Sequence, residues 1–333
     1  MKQFVQIPPE HEAVWERVLS VMTAVTERFD AQLASDLPAV EELIRHVERF
    51  RGKMLRPMLT VLSAEAVGAD GGEPDVVTSA AVVEMVHMAT LVHDDVLDEA
   101  SLRRRGETIN ALRGNEAAVI LGDYLIAGAY HLCSQMSDQA RALLIGRVAM
   151  DMCSGELLQL SRRGDFSLDE QTYFRVLDGK TAALVGVSCR LGAMAGSAEE
   201  PIAHALEVFG RRLGVAFQIQ DDLIDLTASD RVAGKSTGRD VSKGKVTLPL
   251  IHHLEEADPE ARGRTLRVMD DAARREQAAD LREFLELTGS IGHARGVAER
   301  LVDEARQELA RLPESPARDM LGSLATASIT RNA

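Results

Sequence analysis

The sequence predicts an all-α fold, and three observations predict it. Proline punctuates the chain early, at Pro8, Pro9, Pro38, Pro57 and Pro74, and is then absent until Pro201. That proline-free stretch is rich in Ala, Leu, Arg and Glu, residues that lose little on entering a helix. Apolar residues recur with helical spacing, Val14, Val18, Met22 and Val25 near the start and Leu301, Ala305 and Leu309 near the end. No alternation of strand and helix patterns, heptad array or low-complexity tract breaks the pattern.

Turn clusters divide the helices: "GADGGEPD", "RRGDFS", "AGSAEEP" and "TASDRVAGKSTGRD". Of the 333 residues 45% are hydrophobic, enough for a large core, and residues 1–333 read as a single domain. Only 4% are aromatic, so Leu, Val, Ala, Ile and Met must fill that core. Residues 80–92 and 119–129 are almost wholly apolar for more than three turns and belong at the centre of a helical bundle. The net charge of −14 argues against nucleic-acid binding through a basic surface. Cys133, Cys153 and Cys189 form no CxxC pair and read as buried free thiols in a reducing cytosol. The opening residues lack an uninterrupted apolar run, and no stretch reaches the length of a membrane span, so a soluble cytoplasmic protein is expected.

Helices this apolar do not carry carboxylates without a reason, yet two aspartate clusters share one spacing. Asp94, Asp95 and Asp98 stand in "HDDVLDEASLRRR", and Asp221, Asp222 and Asp225 stand in "FQIQDDLIDL". Residues i and i+4 stack on one helix face with i+1 beside them, so each cluster presents a fan of carboxylates. Like charges embedded in apolar sequence need compensating cations. Oxygen donors without His or Cys at ligand spacing suit a hard ion, Mg²⁺ or Mn²⁺. Mg²⁺ takes one or two carboxylates, waters and phosphate oxygens, so two facing fans make sense as a clamp on a diphosphate. Cationic residues accompany both: Arg103, Arg104 and Arg105 after the first, Lys235 and Lys245 after the second, with Lys53 and Arg56 upstream in "RGKMLRP". Side chains of this kind hold a second diphosphate directly, without metal.

The ordered set "GKMLRP", "EMVHMATLVHDDVLDEASLRR", "GDYLIA", "GKTAAL", "FQIQDDLIDL" and "GK…GRD…GKVTLPL", over about residues 51–250, resembles the trans-isoprenyl diphosphate synthases, also called polyprenyl synthetases. The resemblance implies antiparallel helices around a deep central cavity, usually in a homodimer. It implies Mg²⁺-assisted loss of pyrophosphate from an allylic diphosphate such as farnesyl or geranyl diphosphate, attack by the double bond of isopentenyl diphosphate, and loss of a proton. By position it implies Asp94, Asp98 and Asp221 as metal ligands, supported by Asp95, Asp222 and Asp225. It implies Lys53, Arg56, His87 and Arg104 at the isopentenyl diphosphate, and Arg103, Lys180, Lys235 and Lys245 at the allylic diphosphate. Thr181 and Gln218 are implied beside the reacting carbons, and His93 as a donor to the aspartates. The chain departs from the family pattern at Arg51-Gly52, where two glycines are common, and at Arg105 and Glu107, where glycine and proline are common.

Product length follows from a helical argument. A chain growing from a diphosphate at Asp94 runs towards the start of that helix, past residues four and five positions earlier, about 6 Å below. These are Thr90 and Ala89, both small, with Val86, Val82 and Val83 beyond. Aromatic residues there floor the pocket in short-chain members, so a medium- or long-chain polyprenyl diphosphate is expected, with geranylgeranyl diphosphate as the alternative. A terpene cyclase or head-to-head enzyme needs no isopentenyl diphosphate site, which "GKMLRP", His87 and Arg104 supply. A silent partner subunit loses aspartates, and all six are present here. A plain helical scaffold leaves Lys180, Thr181 and Gln218 without a purpose.

Overall fold

A computed structural model describes residues 11–104, 106–136, 138–227, 243–270 and 278–331, and its regular elements are helices apart from one pair of two-residue strands. The all-α expectation holds. The chain divides into two compact units: Met1–Ala149, Leu184–Glu207 and Leu309–Leu321 form one, and Met150–Ala183, Val208–Glu308 and Gly322–Ala333 the other.

The first unit contains α1 (Glu12–Leu33), α2 (Pro38–Glu48), α3 (Leu55–Ala66), α4 (Pro74–Leu97) and α5 (Ile109–Ser134). Pro38 and Pro74 open their helices, where a missing N–H costs nothing. α4 is packed by α1, α3 and α5 and is apolar around nearly its whole circumference. The stripe Val14, Val18, Met22 and Val25 of α1 is buried as its spacing predicts. α5 is kinked at Gly114, whose φ of 84° is a conformation glycine adopts at no steric cost. Between α4 and α5, β1 (Leu102–Arg103) pairs antiparallel with β2 (Gly106–Glu107), Leu102 opposite Glu107. Glu107, at the position where proline is common, thus takes part in a strand pair, and its carbonyl accepts from His46 at 2.7 Å. Arg105 lies outside the described residues.

The expectation about membrane spans needs correction. α4 and α5 are each long and apolar enough, by length and composition alone, to cross a membrane. In α4, 72% of that apolar window is buried inside the protein, as a core helix requires.

Farther along lie α6 (Gln139–Ser161), α7 (Glu170–Leu177), a π-helical turn (Asp178–Ala182), α8 (Ala183–Ala195) and α9 (Glu200–Thr227). They are followed by α10 (Leu248–Glu256), α11 (Pro259–Asp270), α12 (Ala278–Leu287), α13 (Ser290–Leu309) and α14 (Pro316–Thr330). In the second unit α10 packs on α7, α11 and α12. Its buried His253 joins Thr265 at 2.8 Å and Thr288 at 2.9 Å. Of the late apolar stripe, Ala305 and Leu309 are buried and Leu301 half-buried. Cys133 and Cys189 are buried, which pushes their thiols up to about 11 and about 12, whereas Cys153 is exposed on α6, against expectation.

Candidate active site

The first cluster ends α4. Asp94 and Asp95 stand in its last turn and Asp98 caps it, where the helix dipole favours a cation. From Val82 to Asp98 the less buried positions include His87, Thr90, Leu91, Asp94 and Asp98, which fall on one stripe of the helix. The three aspartates are not equivalent. Asp98 is exposed and Asp94 half-buried, but Asp95 is buried and bound by Arg103 through Nε at 2.9 and 3.0 Å and Nη2 at 2.8 Å. Arg103, implied by resemblance at the allylic diphosphate, thus holds a carboxylate of its own chain. His93 turns away from the cluster: its Nε2 lies 3.1 Å from the Val119 carbonyl and 3.6 Å from Asp123, both on α5. Gly122 makes room for that ring, since a Cβ there would collide with it. Thr90 bonds the His87 carbonyl at 2.8 Å, and Ala89 and Val86 are buried.

Basic residues gather beside that stripe. The guanidinium of Arg104 donates to the Phe50 carbonyl and lies against Gly52, where any Cβ would strike it. This accounts for the departure at Arg51-Gly52. A side chain at position 52 would displace that guanidinium, whereas Arg51 turns aside to pair with Asp30 and stack 4.4 Å over the Phe29 ring. Lys53 is exposed next to Gly52, and Arg56 is half-buried in α3. Burial, and then the charges of Arg56, Arg104 and Arg103, hold the His87 imidazole well below its ordinary 6.5, so it stays neutral. Glu84, one turn before His87, is buried, which raises its carboxyl despite Arg56, Arg104 and Arg51 nearby. Sequence reasoning overlooked Glu84, although its signal was legible: it is the one charged residue inside the apolar run 80–92.

The second cluster lies in the last two turns of α9. Asp222 is buried and fully engaged: Tyr173 Oη donates to Oδ2 at 2.8 Å, Gln218 Nε2 to Oδ1 at 3.1 Å, and Lys245 Nζ stands 3.7 Å away. Thr181 Oγ1 in turn donates to Gln218 Oε1 at 3.3 Å. Asp221 and Asp225 are half-buried, and Asp221 pairs with Arg331. Lys180 reaches Glu156 of α6 at 2.5 Å. That approach depends on Gly155 and Gly179, whose backbones touch: a Cβ on Gly155 would sit 2.5 Å from the Lys180 nitrogen. Lys235 lies outside the described residues. Tyr173 and Arg331 carried no local signal, for their partners stand 49 and 110 residues away.

Among the described residues no three His, Cys, Asp or Glu side chains form a protein-only metal cage. The donors fit Mg²⁺ nonetheless, which draws most of its shell from water and phosphate. In the first unit Asp94 and Asp98 are less buried than Asp95, which Arg103 holds; in the second, Asp221 and Asp225 are less buried than Asp222, which Tyr173 and Gln218 hold.

Comparison with known proteins gives a consistent picture. The family model described as "Polyprenyl synthetase" matches residues 37–288. The octaprenyl diphosphate synthase of Escherichia coli (strain K12) is 34% identical over 322 residues, covering 96% of this chain and 99% of that protein. Among solved structures, a decaprenyl diphosphate synthase from Rhodobacter capsulatus superposes with a TM-score of 0.89 at 35% identity, covering 97% of this chain and 99% of that one. A polyprenyl synthase from Caulobacter crescentus CB15, complexed with calcium and isoprenyl diphosphate, does so with a TM-score of 0.86 at 30% identity, covering 96% and 98%.

Proposed function

Since the chain belongs to the polyprenyl synthetase family and is a prenyltransferase, we propose that it extends farnesyl or geranyl diphosphate with isopentenyl diphosphate to a medium- or long-chain all-trans product. The observation that carries this reading is the open stripe of α4, which puts His87, Thr90, Asp94 and Asp98 in one line on an otherwise buried helix. His87 stands at one end of the line, Asp94 and Asp98 at the other, and the small Thr90 between them. The names of relatives that make octaprenyl and decaprenyl diphosphates support the long product.

Lys53, Arg56 and Arg104 bind the diphosphate of isopentenyl diphosphate, and His87, held neutral, donates a hydrogen bond without adding a charge. Asp94, Asp98 and Asp221 are the proposed ligands of Mg²⁺ or Mn²⁺, with Asp225 beside them, and Lys180, Lys235 and Lys245 add charge for the allylic diphosphate. A divalent ion held there would neutralise the allylic diphosphate and make it a better leaving group. Thr181 gives its proton to Gln218, and Gln218 gives its amide hydrogens to Asp222. The lone pairs of Thr181 Oγ1 are thereby left to face positive charge developing on carbon.

The proposed assembly is a homodimer. Large apolar side chains stay exposed on α5, at Ile120 and Tyr124, and every seventh residue along α6, at Leu143, Met150 and Leu157. Exposed apolar side chains of this size call for a cover. Three free thiols support a reducing compartment, the cytoplasm. The test is to incubate the protein with isopentenyl diphosphate, farnesyl diphosphate and Mg²⁺, with and without chelator, and to weigh the dephosphorylated products by mass spectrometry. A metal-dependent ladder running past geranylgeraniol is expected. A ladder stopping there removes the pocket argument, and no elongation removes the assignment of substrates.

A further inference from the structure

Asp221 is neutralised by a cation of its own chain. Arg331 directly follows α14, and its guanidinium bonds the Asp221 carboxylate and lies 3.9 Å over the Phe217 ring. It also donates to the Phe217 carbonyl at 3.3 Å and, through Nε, to the Ser328 carbonyl at 3.1 Å. The Arg331 carbonyl accepts from Gln220 Nε2 at 2.8 Å. Phe217, Gln220 and Asp221 are one face of α9, so Arg331 is fastened to the helix that carries the second aspartate cluster. The Arg331 side chain is only 15% exposed, whereas 41% of the Asp221 side chain is open, which leaves a second ion room to approach it.

We propose that Arg331 is a built-in counter-ion which a divalent cation displaces from Asp221, so that metal binding and release of the α14 end from α9 are one event. The proposal rests on the reading of Asp221 as a metal ligand. A guanidinium stays charged at any pH the fold survives, so it cannot share the carboxylate by losing a proton. Two cations at one carboxylate repel across a few ångströms, so a divalent ion bound there weakens the hold of the singly charged guanidinium. Coupling of this kind is reciprocal: the arginine weakens the metal, and the metal loosens the arginine.

The test combines Mn²⁺ binding, followed by electron paramagnetic resonance, with amide hydrogen exchange over residues 323–331, using the full chain without substrate. In the wild type, Mn²⁺ should raise exchange in that segment. Arg331→Gln should exchange fast without metal and bind Mn²⁺ about two- to tenfold tighter, the range expected for loss of one competing ion pair. Arg331→Lys, which keeps the charge but not the planar fork, should fall between the two and guards against a folding defect. Mn²⁺ that binds without changing exchange at 323–331 would overturn the proposal, as would unchanged affinity in Arg331→Gln. Asp221→Asn separates the levels: it should weaken Mn²⁺ binding and free the segment in metal-free protein. If Asp221→Asn binds Mn²⁺ like the wild type, Asp221 is no ligand and the proposal fails with that reading.

Discussion

The hydroxyl of Tyr173 donates to Oδ2 of Asp222 across 2.8 Å inside the second unit, where Asp222 is 1% exposed. A carboxylate so placed cannot turn, and the Gln218 amide on its other oxygen inherits that orientation. Tyr173→Phe should therefore lower kcat about 10- to 100-fold, the usual cost of removing a group that orients a site from behind. KM for isopentenyl diphosphate should stay within about twofold, since Tyr173 supports orientation and not binding. Steady-state kinetics checks both, and an unchanged kcat refutes the role.

Asp95 and Asp98 should separate stability from activity. Asp95→Ala leaves Arg103 without its buried partner and should cost about 3 kcal/mol or more of unfolding free energy. Asp98→Asn changes an exposed cap and should alter stability by about 0.5 kcal/mol at most, while elongation falls steeply. Urea titrations beside product assays would show it.

Gly52→Ala should raise KM for isopentenyl diphosphate, because the added methyl group displaces the Arg104 guanidinium that now lies on the glycine. The midpoint of thermal unfolding should move little, since Arg104 is exposed and can swing outward. A KM equal to that of the wild type would place Arg104 outside substrate binding.

Thr90→Phe should shorten the product ladder, for Thr90 stands on the open stripe of α4 one turn below Asp94. Ala89→Phe should instead destabilise the fold, by about 1–3 kcal/mol, because Ala89 is fully packed. Mass spectra of the products and melting curves of both variants distinguish the positions.

Acid should destabilise the protein through His87. Burial and neighbouring arginines hold this imidazole well below 6.5, the pH region in which the unfolded chain takes up the proton. Below that region the unfolded state binds a proton that the folded state refuses. The stability is thus fully present above about pH 6.5 and declines as pH falls, by at most about 1.4 kcal/mol per pH unit for one site. His87→Gln should flatten the decline in denaturation midpoints between pH 7.5 and 5.5. The remaining slope belongs partly to His253, whose burial lowers its imidazole in the same direction.

Much of this site is legible in one dimension because it interrupts a pattern. Carboxylates at i, i+1 and i+4 stand out when the residues around them are Val, Ala, Leu and Met, and Glu84 stands out for the same reason. The helices are legible because their apolar stripes serve the core directly. What stays hidden is the identity of each partner. That Arg103 holds Asp95 is not visible from their spacing, and His93 reads as a neighbour of the aspartates until its ring is found on α5. Tyr173 and Arg331 are ordinary residues whose importance arises only when distant turns meet. Pair chemistry is a property of distance in space, and spacing along the chain records it only within a helix.

The π-helical turn at Asp178–Ala182 has a consequence for the phase of the segment. The Ala183 N–H reaches back to the Asp178 carbonyl, five residues earlier, so this turn holds one residue more than an α turn. Tyr173, Asp178 and Thr181 all reach α9, to Asp222, Arg211 and Gln218 respectively. Deleting a single residue from the turn would restore regular winding and rotate one side of the segment against the other by about 100°. Either the tyrosine or the threonine would then point elsewhere. The bulge works as a gear offset, and a chain shorter here by one residue would keep every side chain of the site and lose their common aim.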